Sequence, residues 1–173
     1  MLNDHLTWKE VENRLHPILA EEKKCIIPAT VDPLENNQYN EAYAWMYATE
    51  KAILHWLERE SGKSIPYDLS KTMFGVDGGF SEGLSNAFVH GNKKDSSRPL
   101  WIDVLFSQKG VGFSIKDSGK GFDVKHVAYG YSNGLPFFHI AGNGFKALNT
   151  LISLQAGYEE GGTRLNLKFD ISW

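Results

Sequence analysis

The hydrophobic period of this chain changes once, near Leu100, from helical to alternating, and that change limits the folds open to it. Before Leu100, the residues Ala42, Trp45, Met46, Thr49, Ile53, Trp56 and Leu57 fall at i, i+3, i+4, i+7, i+11, i+14 and i+15, which is one face of a helix. Beyond it, Leu100 to Ser107 reads as a strand, a turn follows at Gln108-Lys109-Gly110, and Val111, Phe113 and Ile115 alternate down a second strand. The chain closes on Thr163, Leu165, Leu167, Phe169, Ile171 and Trp173, alternating with polar residues, as a half-buried strand does. Helices first and strands later predict an α+β fold: a two-layer sandwich of a mixed, mostly antiparallel sheet with helices packed on one face.

The remaining elements follow from local signals. Thr7 and Glu10 have capping-box spacing ahead of Trp8, Val11, Leu15 and Ile18, and Pro17 should end or kink that helix near His16. Cys25 to Ala29 is expected as a short strand and 32–40 as a loop. Ser61-Gly62-Lys63 closes the long helix, and Asp68 is placed to cap the next. The buried stripe of that next helix runs Leu69, Met73, Val76, Phe80, Leu84, Ala87 and Phe88. Residues 124–141 read as irregular, and 144–154 as a short helix. The chain divides into an N-terminal extension over 1–35, a short helix and strand, and a single domain over 36–173.

Composition narrows the function classes. At 173 residues, 42% hydrophobic and 23% charged, the chain supports one domain with a proper core. A net charge of -3 gives no electrostatic case for nucleic acid or an anionic membrane as main partner. Cys25 is the only cysteine, so no intrachain disulfide forms and a reducing compartment fits. Residues 1–14 carry acids and no apolar h-region, and no run approaches the ~18 apolar residues of a membrane span. A cytoplasmic protein is expected.

Two segments carry candidate chemistry. Glu82, Asn86 and His90 stand at i, i+4 and i+8, and are expected on one helix face. A solvated face is the plainer reading of that spacing. Against it, Gly75, Gly78, Gly79 and Gly83 each cost a helix interior up to ~1 kcal/mol relative to alanine, which suggests something close-packed. The second segment is Asp117-Ser118-Gly119-Lys120-Gly121, where Asp117 inherits the inward face of Val111, Phe113 and Ile115. Asp117 is either a plain turn residue or an acceptor for the exocyclic amine of adenine, with Gly119 and Gly121 letting backbone pass beside the base.

An acid and an amide on a helix, facing an acid and two glycines, is what a nucleotide with bound magnesium needs. Phosphate oxygens and water fill most of the metal's shell, so the one side-chain oxygen of Asn86 suffices. Glu82 could orient or deprotonate a hydroxyl attacking the γ-phosphate. His90 is as readily a structural hydrogen-bonder as a catalytic group. Gly142-Asn143-Gly144 opens the expected 144–154 helix, so its amides could hold phosphate oxygens. Gly142, Gly144 and Ala147 also fit a dinucleotide fingerprint, but only the 26 residues from 148 to 173 follow, too few to complete that sheet. Gly62-Lys63-Ser64 fails as a P-loop because Leu57 stands at the first glycine position.

In this order the boxes resemble the GHKL ATPase superfamily, and within it the bacterial anti-sigma-factor serine/threonine kinases. Glu82, Asn86, Ala87 and His90 match the N-box, and Asp117-Ser118-Gly119-Lys120-Gly121-Phe122 the first glycine box. Gly142-Asn143-Gly144-Phe145 matches the second glycine box, and Gly162-Thr163 the terminal glycine-threonine, over roughly residues 41 to 170. The resemblance implies the Bergerat ATP-binding fold, with ATP and magnesium as cofactors. It implies Asn86 as the magnesium ligand, Glu82 as the catalytic base and His90 as part of the nucleotide-binding box. It further implies Asp117 and Thr163 on adenine, Gly119 and Gly121 along that pocket, and Gly142 and Gly144 under the phosphates. Such kinases phosphorylate a serine of an anti-anti-sigma protein, bind a sigma factor, and dimerise. The chain departs from the family in its neutral Asn149 to Leu154 stretch and in a lid rich in Tyr129, Tyr131, Phe137 and Phe138, with Lys125 as its cation. Two alternatives stand beside this reading: a non-catalytic nucleotide-dependent binding module, and the ATP-binding part of a histidine kinase, for which His16-Pro17 lacks neighbouring phosphoacceptor-box residues.

Overall fold

The computed structural model describes residues 6–25, 37–75, 78–132 and 154–171. It is a mixed helix-and-sheet structure with five strands: β1 (Leu19–Cys25), β2 (Leu100–Ser107), β3 (Gly110–Lys116), β4 (Leu154–Glu159) and β5 (Arg164–Asp170). Their order is β1-β2-β3-β5-β4, and every pairing is antiparallel. The parallel component expected of a mixed sheet is therefore absent among the described residues. Among the described residues there are also five α-helices: α1 (Trp8–Leu15), α2 (Asn37–Ser61), α3 (Tyr67–Phe74), α4 (Gly79–Asn86) and α5 (Val124–Ser132).

Register puts Val104 opposite Phe113, Phe113 opposite Leu167, and Leu167 opposite Ala156. Because alternate residues of a strand point to opposite faces, this row forms one apolar stripe across four strands. Helices α2, α3 and α4 bury that stripe beneath Ile53, Leu57, Met73, Phe80 and Leu84. Phe113 lies at the centre, with ring centroids 4.9 Å from Phe80, 5.8 Å from Phe169 and 5.9 Å from Phe74. Edge-on and tilted contacts of this kind add to the burial itself.

The opposite face is covered as well, which corrects the expectation of helices on one face only. Leu6 and the α1 residues Val11 and Leu15 form a second, smaller cluster with Leu105. The seat is cut by Gly112, where a Cβ would lie 2.6 Å from Val11 Cγ1. Polar bonds complete it: Trp8 donates its backbone N–H to Glu159 Oε2 at 2.9 Å, Asn166 Nδ2 donates to the Leu6 carbonyl at 3.1 Å, and Arg14 Nη1 donates to Gln155 Oε1 at 2.8 Å. Helix α1 carries the predicted capping box, in which the Thr7 and Glu10 side chains each accept from the other's backbone N–H. It stops at His16, in left-handed backbone at φ 50°, just before Pro17. Residues 6–25 of the supposed extension thus supply a covering helix and an edge strand to the common sheet.

Other differences have local causes. The strand expected over 25–29 lies outside the described residues except for Cys25, which ends β1 (Leu19–Cys25), a strand whose sequence, with Glu21, Glu22, Lys23 and Lys24, carries no hydrophobic pattern and stands at the edge of the described sheet. The single stripe from Leu69 to Phe88 is divided between two helices, α3 ending at Phe74 and α4 beginning at Gly79; Pro66 holds the cap position of α3, and Asp68 sits inside its first turn without capping it. Asn37 to Asn40, expected as loop, open α2, and Val124 to Ser132, expected as irregular, are α5. The helix expected over 144–154 lies outside the described residues except for Leu154, which begins β4.

Candidate functional site

Helix α4 approaches the sheet through Gly83, where a Cβ would stand 2.7 Å from Leu165 Cδ2 and 2.9 Å from Ile115 Cδ1. This close seat holds α4, with its half-buried Glu82 and Asn86, against Ile115 near the end of β3 and Leu165 near the start of β5. After Asn86 the helix passes into a single π turn, Ala87–Gly91, closed by Asn92 N–H to the Ala87 carbonyl at 2.8 Å. An i→i+5 turn inserts one residue into the helical register, and such turns recur at functional sites. His90, inside that turn, is exposed, whereas Glu82 and Asn86 are half-buried.

Asp117 follows β3 on the inward face, as its sequence position predicts, and is only 8% exposed. Its backbone N–H bonds the Thr163 carbonyl at 2.9 Å, fixing the end of β3 to the turn before β5. Its Oδ1 accepts from Gly119 N–H at 2.7 Å, the turn contact of the plainer reading. Its Oδ2 has no hydrogen-bond donor among the described residues. Burial holds the Asp117 carboxyl above its usual range, with the Gly119 N–H opposing.

The glycines around Asp117 act first by letting three chain segments touch. A Cβ on Gly91 would fall 2.3 Å from Asp117 Cγ, so any larger residue at the helix end would displace the Asp117 side chain. Gly121, at φ 70°, passes so close to the Gly161 carbonyl that a Cβ would lie 1.9 Å from its oxygen, and Phe122 N–H bonds that same carbonyl at 2.9 Å. The side on which a Cβ of Gly121 would project is filled by the Gly161 backbone. Thr163, expected near the base, donates its hydroxyl to the Glu160 carbonyl at 3.0 Å and retains acceptor capacity.

Asn92 binds the arrangement together, and sequence reasoning gave it no role of its own. It is fully buried; Nδ2 donates to the carbonyls of Arg98 at 2.9 Å and Pro99 at 3.3 Å, while Oδ1 accepts Ser118 N–H at 2.8 Å. The Ser118 hydroxyl closes the loop on Pro99 O at 2.8 Å. The only sequence signal was a polar residue directly after the Gly91 that ends the helix. Tyr158 was also missed. It stacks edge-on against Phe122 at 5.0 Å, and burial, then the carboxylates of Asp117 and Glu82, drive its hydroxyl pKa upward, so it stays protonated. The two acids thus share one electrostatic neighbourhood.

Chemically, the described site offers Asn86 as an amide oxygen, a half-buried carboxylate at Glu82, and a buried carboxylate edge at Asp117. No group of three or more His, Cys, Asp or Glu that could hold a metal exists among the described residues. The donor set fits an ion that brings most of its own oxygens and takes one from the protein. Gly142 and Gly144 lie outside the described residues. No helix among the described residues is long and apolar enough to cross a membrane. No protein-family model matches the chain, and no curated protein matches it.

Proposed function

We propose that this protein binds ATP with magnesium and phosphorylates a serine or threonine hydroxyl of a protein acceptor, as a partner-switching anti-sigma-factor kinase built on a Bergerat ATP-binding fold. On this reading the sheet and α2–α4 are the two layers of that fold, and α1 is an addition on the far face. The observation that carries the proposal is Asp117: a buried carboxylate with one oxygen free of donors among the described residues, locked by Asn92 and Gly91 to the helix bearing Glu82 and Asn86. That oxygen is not among the buried unsatisfied atoms, so it is an acceptor open to a ligand, and the exocyclic amine of adenine would supply its donor. The Thr163 oxygen is a second acceptor beside it.

Asn86 would hold the magnesium ion, which when bound neutralises phosphate charge. Glu82 takes the proton of the acceptor hydroxyl onto its carboxylate as that oxygen bonds to the γ-phosphorus and the bond from the γ-phosphorus to the β,γ-bridging oxygen breaks, leaving ADP with the bridging electron pair. Exposed His90 stands at the solvent side of the π turn, and Gly142 and Gly144 would line the phosphates. Binding of a sigma factor, an anti-anti-sigma acceptor and a second copy of the chain belongs to the same proposal. The test separates binding from transfer. Glu82→Ala is expected to leave ATP affinity within a few-fold and to cut phosphoryl transfer by roughly 10²- to 10⁴-fold. Equal losses in both would make Glu82 structural, and ATP binding without transfer to any acceptor by the native protein would leave a non-catalytic binding module.

A further inference from the structure

We propose that the groove between α2 and α3 docks an acidic peptide segment of a protein partner through one apolar anchor side chain. The two helices line the groove with the same pattern. Tyr47, Glu50, Lys51 and Leu54 come from α2, and Tyr67, Ser70, Lys71 and Phe74 from α3, each at i, i+3, i+4 and i+7 and so one stripe per helix. The groove is lined by none of the residues of the candidate nucleotide site.

Size decides between a small molecule and a chain. The cavity is about 190 Å³, below the ~300–1,000 Å³ of small-molecule sites and suited to one bulky side chain. Half-buried Leu54 and Phe74 make an apolar floor. On the rim, Tyr47 is 59% and Tyr67 79% exposed, a disposition typical of interface tyrosines, with an apolar ring and a polar tip.

Charge decides what surrounds the anchor. Lys51 and Lys71 are exposed, and neither forms an ion pair among the described residues. The Lys51 ammonium lies 5.2 Å from the Tyr47 ring centroid, which orients it over the rim. The one acid of the lining, Glu50, is buried and accepts the Ser81 hydroxyl at 2.7 Å, and burial raises its pKa. The accessible charge of the groove is therefore two ammonium groups, which complement carboxylates flanking an apolar residue. The apolar floor of Leu54 and Phe74 suits a peptide side chain, which a sugar–phosphate backbone does not offer.

The probe is a fluorescein-labelled peptide, Glu-Glu-Leu-Phe-Glu-Glu, titrated with the full chain by fluorescence anisotropy. The Lys-Lys-Leu-Phe-Lys-Lys counterpart and a labelled oligothymidylate are the controls. The acidic peptide is expected to bind, and to weaken about tenfold or more both in the Lys51→Glu/Lys71→Glu variant and between about 50 and about 500 mM salt. The basic peptide should bind that variant and not the native protein, which also shows that the variant is folded. Ser70→Trp, which fills the cavity and keeps both lysines, should remove binding of the acidic peptide. Absence of acidic-peptide binding to the native protein, or equal binding by the reversed variant, overturns the proposal. Oligothymidylate binding lost in the same variants would reassign the groove to nucleic acid, and self-association in sedimentation lost in them would reassign it to a second copy; either overturns it. The titration contains no nucleotide, so its outcome is separate from the ATP reading.

Discussion

One face of the sheet is held by stacked aromatic rings, the other by a short helix and a set of individually weak polar bonds. On the first face Phe74, Phe80, Phe113 and Phe169 interlock beneath three helices. On the second, three apolar residues meet Leu105, and much of the remaining hold comes from Trp8, Arg14 and Asn166 bonding across to the strands. Beside α1 on that face, Arg164 Nη1 approaches Asp103 at 3.4 Å and Ser114 at 3.2 Å, while its Nε lies 2.9 Å from Glu160. Burial of hydrocarbon is additive and insensitive to pH, whereas a charged cluster is conditional on protonation. The candidate site belongs to the first face: its helix is seated by Gly83 on Ile115 and Leu165, inside the aromatic-centred core.

That contrast can be broken at its strongest point first. Phe113 is fully buried among three other rings, so Phe113→Ala is expected to cost about 3–5 kcal/mol by urea unfolding. A cost below about 1 kcal/mol would mean that the aromatic core does not dominate.

The second face should respond less, and with pH. Burial raises the Asp103 carboxyl above its usual range, and Arg164 opposes that rise. Glu160 is held low by Lys116 and also by Arg164. A raised carboxyl destabilises the fold above its folded pKa and ceases to do so once protonated; a lowered one stabilises at neutral pH and loses that contribution as pH falls. Arg164→Met removes the compensation on both counts. Its cost, about 1–3 kcal/mol at neutral pH, should therefore shrink as pH falls through the carboxylate range. A cost unchanged with pH would assign Arg164 to packing alone. Smallest is Thr7→Ala, which removes the hydroxyl that accepts the Glu10 N–H and keeps the Thr7 N–H bond to the Glu10 carboxylate, and should cost about 1 kcal/mol, with the urea midpoint as the measure.

The same division explains what could be read from sequence. The β2–β3 pair, the long helix and the capped α1 announce themselves through apolar spacing and a cap signal. Asp117 was legible because it extends the alternation of Val111, Phe113 and Ile115 by one step. On the second face the alternate positions of β3 are Gly110, Gly112 and Ser114, whose smallness is the mark of a seat for α1 and carries no hydrophobic signal. β1 is charged because it is an edge, and β4 contains Ala156 and Gly157, weak strand formers. The break between α3 and α4 was hidden because Met73, Phe80 and Leu84 continue one helical stripe across it. Asn92 was out of reach for another reason: its partners are backbone atoms of Arg98, Pro99 and Ser118, which only tertiary structure brings together.

The central claim is that Asp117 selects adenine, and a competition titration with ATP and GTP in the presence of magnesium tests it most directly. GTP presents a carbonyl where ATP presents an amine, so two acceptors would face each other, at a cost of about 1–3 kcal/mol or a roughly ten- to hundredfold preference for ATP. Asp117→Asn can donate to that carbonyl, and should weaken ATP binding and narrow the ratio. The native protein should show a clear ATP preference that falls in the variant. Equal binding of the two nucleotides by the native protein would leave Asp117 as the turn residue that caps Gly119, and would contradict the claim.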